Sequence, residues 1–416
     1  MALAVRSLST LRSVLRFRKL ELDPARRRLE RAANVADLRQ AARRRLPRGI
    51  FDYVDGGAEN EISLRRNVDA FERLEFRPRV LRAVDRIDPS VTLLGRPIPI
   101  PLVLAPTGFT RIVTPAGELD VARAAARAGI PYTLSTLATR SIAEVAAVSQ
   151  GPKWFQVYVW KDRGLVRDML ARAAEFGFEA IVLTVDTAVL GRRERDVRRG
   201  FSLPPKIGLG TIADGLLHPA WTWAFVRAEP ITFANVVGTS APDGSAAANL
   251  ADYVNAQFDP SLSWADLDWF RSEWEGPIIL KGIQTVADAR IAADTGIDAI
   301  ALSNHGGRQL DGGMAIVDLV PRVVDALGGG TEIICDGGVR SGGDILKAVA
   351  LGARACMVGR AYLYGLATAG EAGVARVLAL FDAGVRRNMA LLGCRTISEV
   401  DRDIVCRATH LYGPPD

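Results

Sequence analysis

Histidine and cysteine are both scarce in this chain, with three of the first and four of the second among 416 residues. Cys335, Cys356, Cys394 and Cys406 show no CxxC spacing, which argues against a structural metal and for a reducing compartment. Cys335 and Cys356 fall inside apolar runs, where small buried thiols are usual. No apolar run is long enough to span a bilayer. Basic residues interleaved with aromatics are also missing, so no nucleic-acid partner is expected. The first twenty residues carry arginine and serine but no acid, and no apolar core of signal-peptide length. They suit a basic arm or, by composition alone, a transit segment. We expect residues 1–33 to form the basic arm, and the protein to be cytoplasmic, either free or peripheral at the inner membrane.

What is present is apolar and evenly spread. The chain is 49% hydrophobic and 24% charged, as in a soluble enzyme with a large core. The net charge of +6 comes mostly from residues before Pro47, so it describes the arm more than the body. Asn34 is positioned to cap a helix running to Arg45, and a second short helix over Ile50–Val54 closes at Gly56-Gly57. Glu72 to Val80 reads as an extended connection.

From about residue 98, strand-like runs alternate with helical ones. The runs are Ile100–Ala105, Tyr132–Ser135, Trp154–Val159, Ala180–Val185, Ile278–Gly282, Ala299–Ser303, Glu332–Cys335 and Ala355–Val358. Helical spacing covers Gly117–Ala128, Arg163–Phe176, Thr285–Thr295 and Asp344–Leu351. Such alternation implies α/β architecture with a parallel sheet. The length fits a single (β/α)8 TIM barrel, typically about 250 residues. A doubly wound sheet would need a glycine-rich turn after its first strand, where this chain has Ala105-Pro106-Thr107-Gly108. The expected body is therefore one barrel over residues 34–416, with an insertion after strand 4 at about 200–263. Within that insertion lie Leu203-Pro204-Pro205, a Trp-rich stretch over Leu216–Phe225 and a small, polar stretch from Gly238 to Asn249. The Trp-rich stretch could cover the active site, rest on a membrane or pack as an extra helix on the barrel flank. His218 is given no catalytic role.

Barrel enzymes gather their chemistry at the carboxyl ends of the strands. Here every such end carries a polar or catalytic residue type. After strand six comes Ser303-Asn304-His305-Gly306-Gly307-Arg308-Gln309-Leu310-Asp311, a tunable base followed closely by a fixed cation. After strands seven and eight come Asp336-Gly337-Gly338-Val339-Arg340 and Gly359-Arg360, whose backbone donors and cations suit a phosphate. Gln156, Thr184 and Lys281 are amide, hydroxyl and ammonium groups suited to the rim of a planar heterocycle, where a lysine stabilises developing negative charge. His305, Arg308 and Arg193 suit an acid substrate, because two guanidiniums match a carboxylate in geometry.

These motifs resemble the FMN-dependent 2-hydroxy-acid dehydrogenase and oxidase family, from about Asn34 to Gly413. Phe155-Gln156-Val157-Tyr158, Leu183-Thr184-Val185-Asp186-Thr187, Leu190-Gly191-Arg192-Arg193 and Phe51-Asp52-Tyr53 add to the likeness. Within the family it is most similar to the actinobacterial flavin-type L-lactate dehydrogenases. The resemblance implies FMN as cofactor and His305 as the base, with Asp336 orienting its imidazolium. Arg193 and Arg308 would bind the substrate carboxylate, Tyr53 and Tyr158 would add hydroxyls, and Asp186 would belong to the same polar network. Pro106, Thr107, Gly108, Ser135, Gln156, Thr184 and Ser303 would surround the flavin, with Lys281 by its pyrimidine end. Asp336, Gly337, Gly338, Arg340, Gly359 and Arg360 would hold its ribityl-phosphate side.

The expected reaction is oxidation of an L-2-hydroxy acid, first L-lactate to pyruvate, with electrons passing to a quinone or another acceptor. Leu137 stands where glycolate oxidase carries a tryptophan, which argues against glycolate. Gly108 stands where the oxidases tend to have alanine, which argues for a dehydrogenase. A hydroxy-acid oxidase, a lactate 2-monooxygenase and another FMN-binding barrel such as an isomerase are the alternatives. With no CxxCH and little sequence before the barrel, no haem module is expected. Peripheral membrane contact and a homo-oligomer, a tetramer by resemblance, complete the expectations.

Overall fold

The computed structural model describes residues 21–199, 208–236 and 256–408. Three short strands come first: β1 (Leu74–Phe76), β2 (Val91–Leu93) and β3 (Arg96–Ile98). Eight parallel strands then close a barrel: β4 (Leu102–Leu104), β5 (Tyr132–Ser135), β6 (Lys153–Tyr158) and β7 (Ala180–Thr184), followed by β8 (Ile278–Ile283), β9 (Ala299–Ser303), β10 (Glu332–Asp336) and β11 (Ala355–Val358). Closure is made by β11 against β4, with Met357 opposite Val103. A last strand, β12 (Val405–Arg407), pairs antiparallel with β1.

The barrel strands are mainly apolar because both faces are buried, one by the barrel interior and one by helices. β5, β7, β9 and β11 are buried along their whole length. Helix starts follow local chemistry. Asn34 accepts from the Asp37 N–H, while Ser141 with Glu144 and Ser341 with Asp344 form reciprocal caps that satisfy otherwise orphaned donors. The β2–β3 hairpin packs at the amino end of the barrel, where the Leu94 N–H donates to Glu332 at the start of β10 (2.8 Å). The carboxyl end is left for chemistry.

The expected (β/α)8 barrel is present, and several boundaries move. The first strand begins at Leu102 rather than Ile100, since Pro101 has no N–H to give a ladder. Part of the expected arm is docked on the body. Pro24–Arg31 is helical with Asp23 as its cap, Arg28 donates to the Thr368 carbonyl (3.3 Å) and Arg376 to that of Ala32 (2.7 Å). Residues 1–20 lie outside the described residues. A helix over Ile62–Glu72 precedes the connection expected to be extended. A long helix over Arg360–Leu392 breaks at Ala369-Gly370 and packs on Val35–Arg45.

In the insertion, Leu209–Leu217 and Pro219–Arg227 are helices. Trp221 stacks on Phe225 and its indole donates to the Ile112 carbonyl (2.9 Å), which ties the second helix to the loop after β4. Leu203-Pro204-Pro205 and the stretch from Gly238 to Asn249 lie outside the described residues. Among the described residues, no helix is long and apolar enough to cross a membrane.

Candidate active site

A cavity of about 550 Å3 opens at the carboxyl end of the barrel, lined by residues that follow most of the strands. Its lining includes the glycine loops with Gly337, Gly338, Arg340, Gly359 and Arg360, and the group Tyr53, Tyr158, Arg193, His305 and Arg308; Arg308 and Arg360 meet at the Gly56 carbonyl. Pro106, Thr107, Gly108, Thr184, Lys281 and Asp336 line it as well. Ser135, Asp186 and Ser303 do not line it but bond residues that do, namely Leu137, His305, and Lys281 with Asp336, while Gln156 sits one layer further back on Ser135 and Thr136.

His305 adopts a left-handed backbone (φ 57°), which is costly outside glycine and is held by its N–H donating to the Ser303 hydroxyl (2.9 Å). Its Nδ1 lies 3.1 Å and 3.3 Å from the two Asp186 oxygens. The carboxylate fixes the proton on Nδ1 and leaves the Nε2 lone pair as the base. The expectation that Asp336 orients this imidazole is therefore corrected to Asp186. Asp336 is bound elsewhere: its Oδ2 takes the Lys281 ammonium at 2.8 Å and the Ser303 hydroxyl at 2.7 Å. The close approach of Asp186 depends on Gly282, with φ 114° at a register shift in β8, where a Cβ would come within 2.8 Å of the Asp186 side chain.

The charges are arranged to be used. Burial works against the Asp186 carboxylate, but His305 and Lys281 outweigh it and hold its pKa below the usual range. Burial likewise opposes the Lys281 ammonium, and Asp336 with Asp186 overcomes it, so Lys281 stays protonated. Arg308 is different. Burial first, and then the neighbouring Arg193, bring its pKa down to about 9. Both guanidiniums lie over the Tyr53 ring, at 5.2 Å for Arg308 and 5.4 Å for Arg193. Arg193 is paired with Asp196 (3.3 Å), which sets one carboxylate against two guanidiniums and leaves a positive pocket suited to an anion. The Tyr158 hydroxyl is pushed up, by burial and then by Asp186, and stays protonated as a donor.

Tyr53 arrives on the helix over Arg48–Asp55, and its neighbour Asp55 anchors that helix. Asp55 accepts from Arg39 (2.5 and 2.7 Å), Arg195 (3.0 Å) and the Tyr364 hydroxyl (2.8 Å). Burial opposes its charge, yet these partners bring its pKa down to about 2. The segment is then joined to the site loops through Ala58 N–H to Gly307 O (2.8 Å) and Glu59 N–H to Arg192 O (2.9 Å). Arg308 Nη1 donates to the Tyr53 and Gly56 carbonyls (2.8 and 3.1 Å), so its remaining donors face the cavity. Arg360 gives one nitrogen to Gly306 O and one to Gly56 O (2.9 and 2.8 Å).

Some contributors were not legible from sequence. Gln309 bridges the loops after β7 and β9, giving Nε2 to the Asp186 and Val189 carbonyls and accepting from Gly191 N–H. Asp311 accepts the N–H groups of Ile62 and Ser63 and docks their helix. Asn67 and Asn304 exchange amide bonds (2.7 and 3.0 Å) beneath Gly337-Gly338. His218 bonds the Asp214 carbonyl, away from this site. Among the described residues no cluster of three or more His, Cys, Asp or Glu side chains is arranged to hold a metal.

The cavity also fits a flavin mononucleotide by its unmet hydrogen bonds. Gln156 Nε2, Thr184 Oγ1 and Arg360 Nε are buried without a protein partner. These are an amide one layer behind the cavity wall, a hydroxyl in the wall and a cation beside the glycine-rich loops. The donor set matches a ring with carbonyl and nitrogen atoms joined to a phosphate.

A barrel with this site defines an oxidoreductase of the flavin-binding kind, and the comparisons agree. A model of the family described as FMN-dependent dehydrogenase matches residues 42–407, and the chain belongs to that family. The "Putative L-lactate dehydrogenase" of Mycobacterium tuberculosis is 47% identical over 93% of this chain and 92% of its own length. An L-lactate dehydrogenase of Caulobacter vibrioides is 44% identical over 90% and 97%. The solved monotopic membrane protein (S)-mandelate dehydrogenase superposes with a TM-score of 0.87 at 39% identity, over 91% of this chain and all of the other. The protein is an FMN-dependent enzyme.

Proposed function

We propose that the enzyme oxidises L-lactate to pyruvate and that its electrons leave to a quinone. The observation that carries the acid substrate is the pairing, across one cavity, of His305 backed by Asp186 with the two guanidiniums of Arg193 and Arg308. The arginines bind the carboxylate, and the Tyr53 and Tyr158 hydroxyls orient the rest of the acid. His305 Nε2 accepts the hydroxyl proton, and Asp186 stabilises the imidazolium that results. Lys281, kept charged by Asp336, faces the position where negative charge develops. FMN, when bound by Gln156, Thr184, Lys281 and the glycine loops, supplies a two-electron acceptor.

Quinone is favoured as the outgoing acceptor by an exposed apolar face on the insertion. Ile212, Leu216, Leu217, Trp223 and Val226 all stand exposed there. That face supports peripheral contact with the inner membrane from the cytoplasmic side. By family resemblance the working form is a homotetramer. An aryl acid is the second reading, because the solved (S)-mandelate dehydrogenase has so similar a fold.

The test is the purified protein's colour and its response to a panel of acids. A flavin spectrum that bleaches anaerobically with L-lactate, more slowly with mandelate and glycolate, and not with D-lactate is the expected result. Protein that carries no flavin, or that bleaches fastest with mandelate, would displace lactate from the account. Fractionation with membranes and size-exclusion mass measurement test the location and the tetramer.

A further inference from the structure

We propose that Phe258, at the far end of the insertion, is a specificity-determining residue that limits the size of the substrate's side chain. The assignment rests on the proposed function, since it concerns the acid that Arg193 and Arg308 hold. Phe258 lines the same cavity as Tyr158, Arg193, His305 and Arg308. Its ring meets that of Tyr158 edge to face, with centroids 5.3 Å apart and an interplanar angle of 72°. Tyr158 in turn lies close enough to Asp186, Tyr53, Arg308 and Arg193 for each to act on its hydroxyl. Phe258 therefore forms a wall beside the group that holds the acid, in contact with Tyr158.

The wall is fixed. Phe258 is 6% exposed and forms an antiparallel bridge with Trp160. On either side the backbone is pinned: Lys161 N–H donates to Gln257 O (2.9 Å), Asp162 N–H to Gln257 Oε1 (3.2 Å) and Lys161 Nζ to Ala256 O (3.0 Å). Ser261 N–H bonds Asp259 Oδ1 (3.0 Å) on the other flank. With its backbone tied at these points, Phe258 keeps its Cα beside the cavity, and its ring is braced by the edge-to-face contact with Tyr158. The polar groups there are committed to the carboxylate and hydroxyl, so the third substituent at C2 must meet apolar lining. Phe258 is the part of that lining placed against Tyr158, and a phenyl ring there leaves room for a methyl group before it leaves room for a butyl chain or an aryl ring.

The test compares wild-type and Phe258→Ala holoenzymes on L-lactate, 2-hydroxybutyrate, 2-hydroxyhexanoate and mandelate. The kcat/KM ratio of 2-hydroxyhexanoate to lactate is expected to rise at least ~10-fold in Phe258→Ala, and about 3-fold in Phe258→Leu, the size of effect usual for methylene-scale changes in an apolar pocket. Equilibrium binding of phenylglyoxylate relative to pyruvate, followed by tryptophan fluorescence, should shift in the same direction. Equal losses on all four acids would mark a structural role and overturn the assignment, as would unchanged ratios. If Phe258→Ala fails to retain flavin, the Phe258→Leu ratios decide on the same terms. Failure of the wild-type holoenzyme on every acid would overturn the proposed activity, and this assignment with it.

Discussion

Replacing Asp186 by asparagine tests the assignment of the carboxylate behind the base. Asp186 is almost wholly enclosed, with 3% of its side chain exposed, and its oxygens lie 3.1 and 3.3 Å from His305 Nδ1. Its charge also faces Lys281. Asparagine keeps the shape but removes the charge that stabilises the imidazolium, and its amide can present an N–H where Nδ1 needs an acceptor. A positioned general base contributes about 10²- to 10⁴-fold, equivalent to roughly 3–5 kcal/mol of barrier. The rate of anaerobic flavin bleaching by saturating L-lactate in a stopped-flow instrument should fall by that factor. Pyruvate affinity should change little, since Arg193 and Arg308 are untouched. Asp336→Asn provides the contrast. It removes the partner of Lys281, so it should weaken flavin binding or alter the flavin's potential more than it harms proton removal. Bleaching by Asp186→Asn within threefold of wild type, with Asp336→Asn carrying the larger loss, would refute the geometry argued for His305.

Other outcomes follow from the same groups. Arg308→Met should raise KM for lactate by at least ~10-fold, while Arg308→Lys, keeping charge but losing the forked geometry, should recover only part; steady-state kinetics checks both. For Asp55, the folded pKa of about 2 lies below the unfolded value of roughly 3.9, so its charge stabilises the fold above about pH 4 and that contribution is lost as pH falls toward 2. The stability difference between wild type and Asp55→Asn should therefore shrink by about 2 kcal/mol between pH 5 and pH 2 in denaturant titrations. Gly282→Ala should push the Asp186 side chain away from its place and slow bleaching at least ~10-fold with flavin still bound, as read by absorbance and rapid mixing.

The barrel was legible because each strand is predominantly apolar and each carries a polar side chain at its carboxyl end or in the loop that follows. Tyr132–Ser135, Ala299–Ser303 and Ala355–Val358 carry their bounds in the sequence itself. The residues that line the cavity were legible for a related reason, since strand ends converge on one face of a closed sheet. Which carboxylate meets His305 was not. Asp186 and Asp336 both follow barrel strands, and the choice depends on a register shift at Gly282 and on the left-handed turn at His305, neither of which has a local signature. Phe258 was hidden for a different reason: it is separated from Tyr158 by a long insertion, and a single bridge to Trp160 brings it back. The docked helix over Pro24–Arg31 was masked by its arginines, which read as a solvated arm until Arg28 and Thr368 are seen together.

The most direct test of the central claim is an anaerobic titration of purified holoenzyme with L-lactate, with pyruvate measured alongside the flavin spectrum. The account predicts that bleaching runs to completion with one pyruvate formed per FMN reduced, and that His305→Ala keeps its FMN but does not bleach. A flavin that stays oxidised in excess lactate, or a His305→Ala enzyme that bleaches at the wild-type rate, would contradict it.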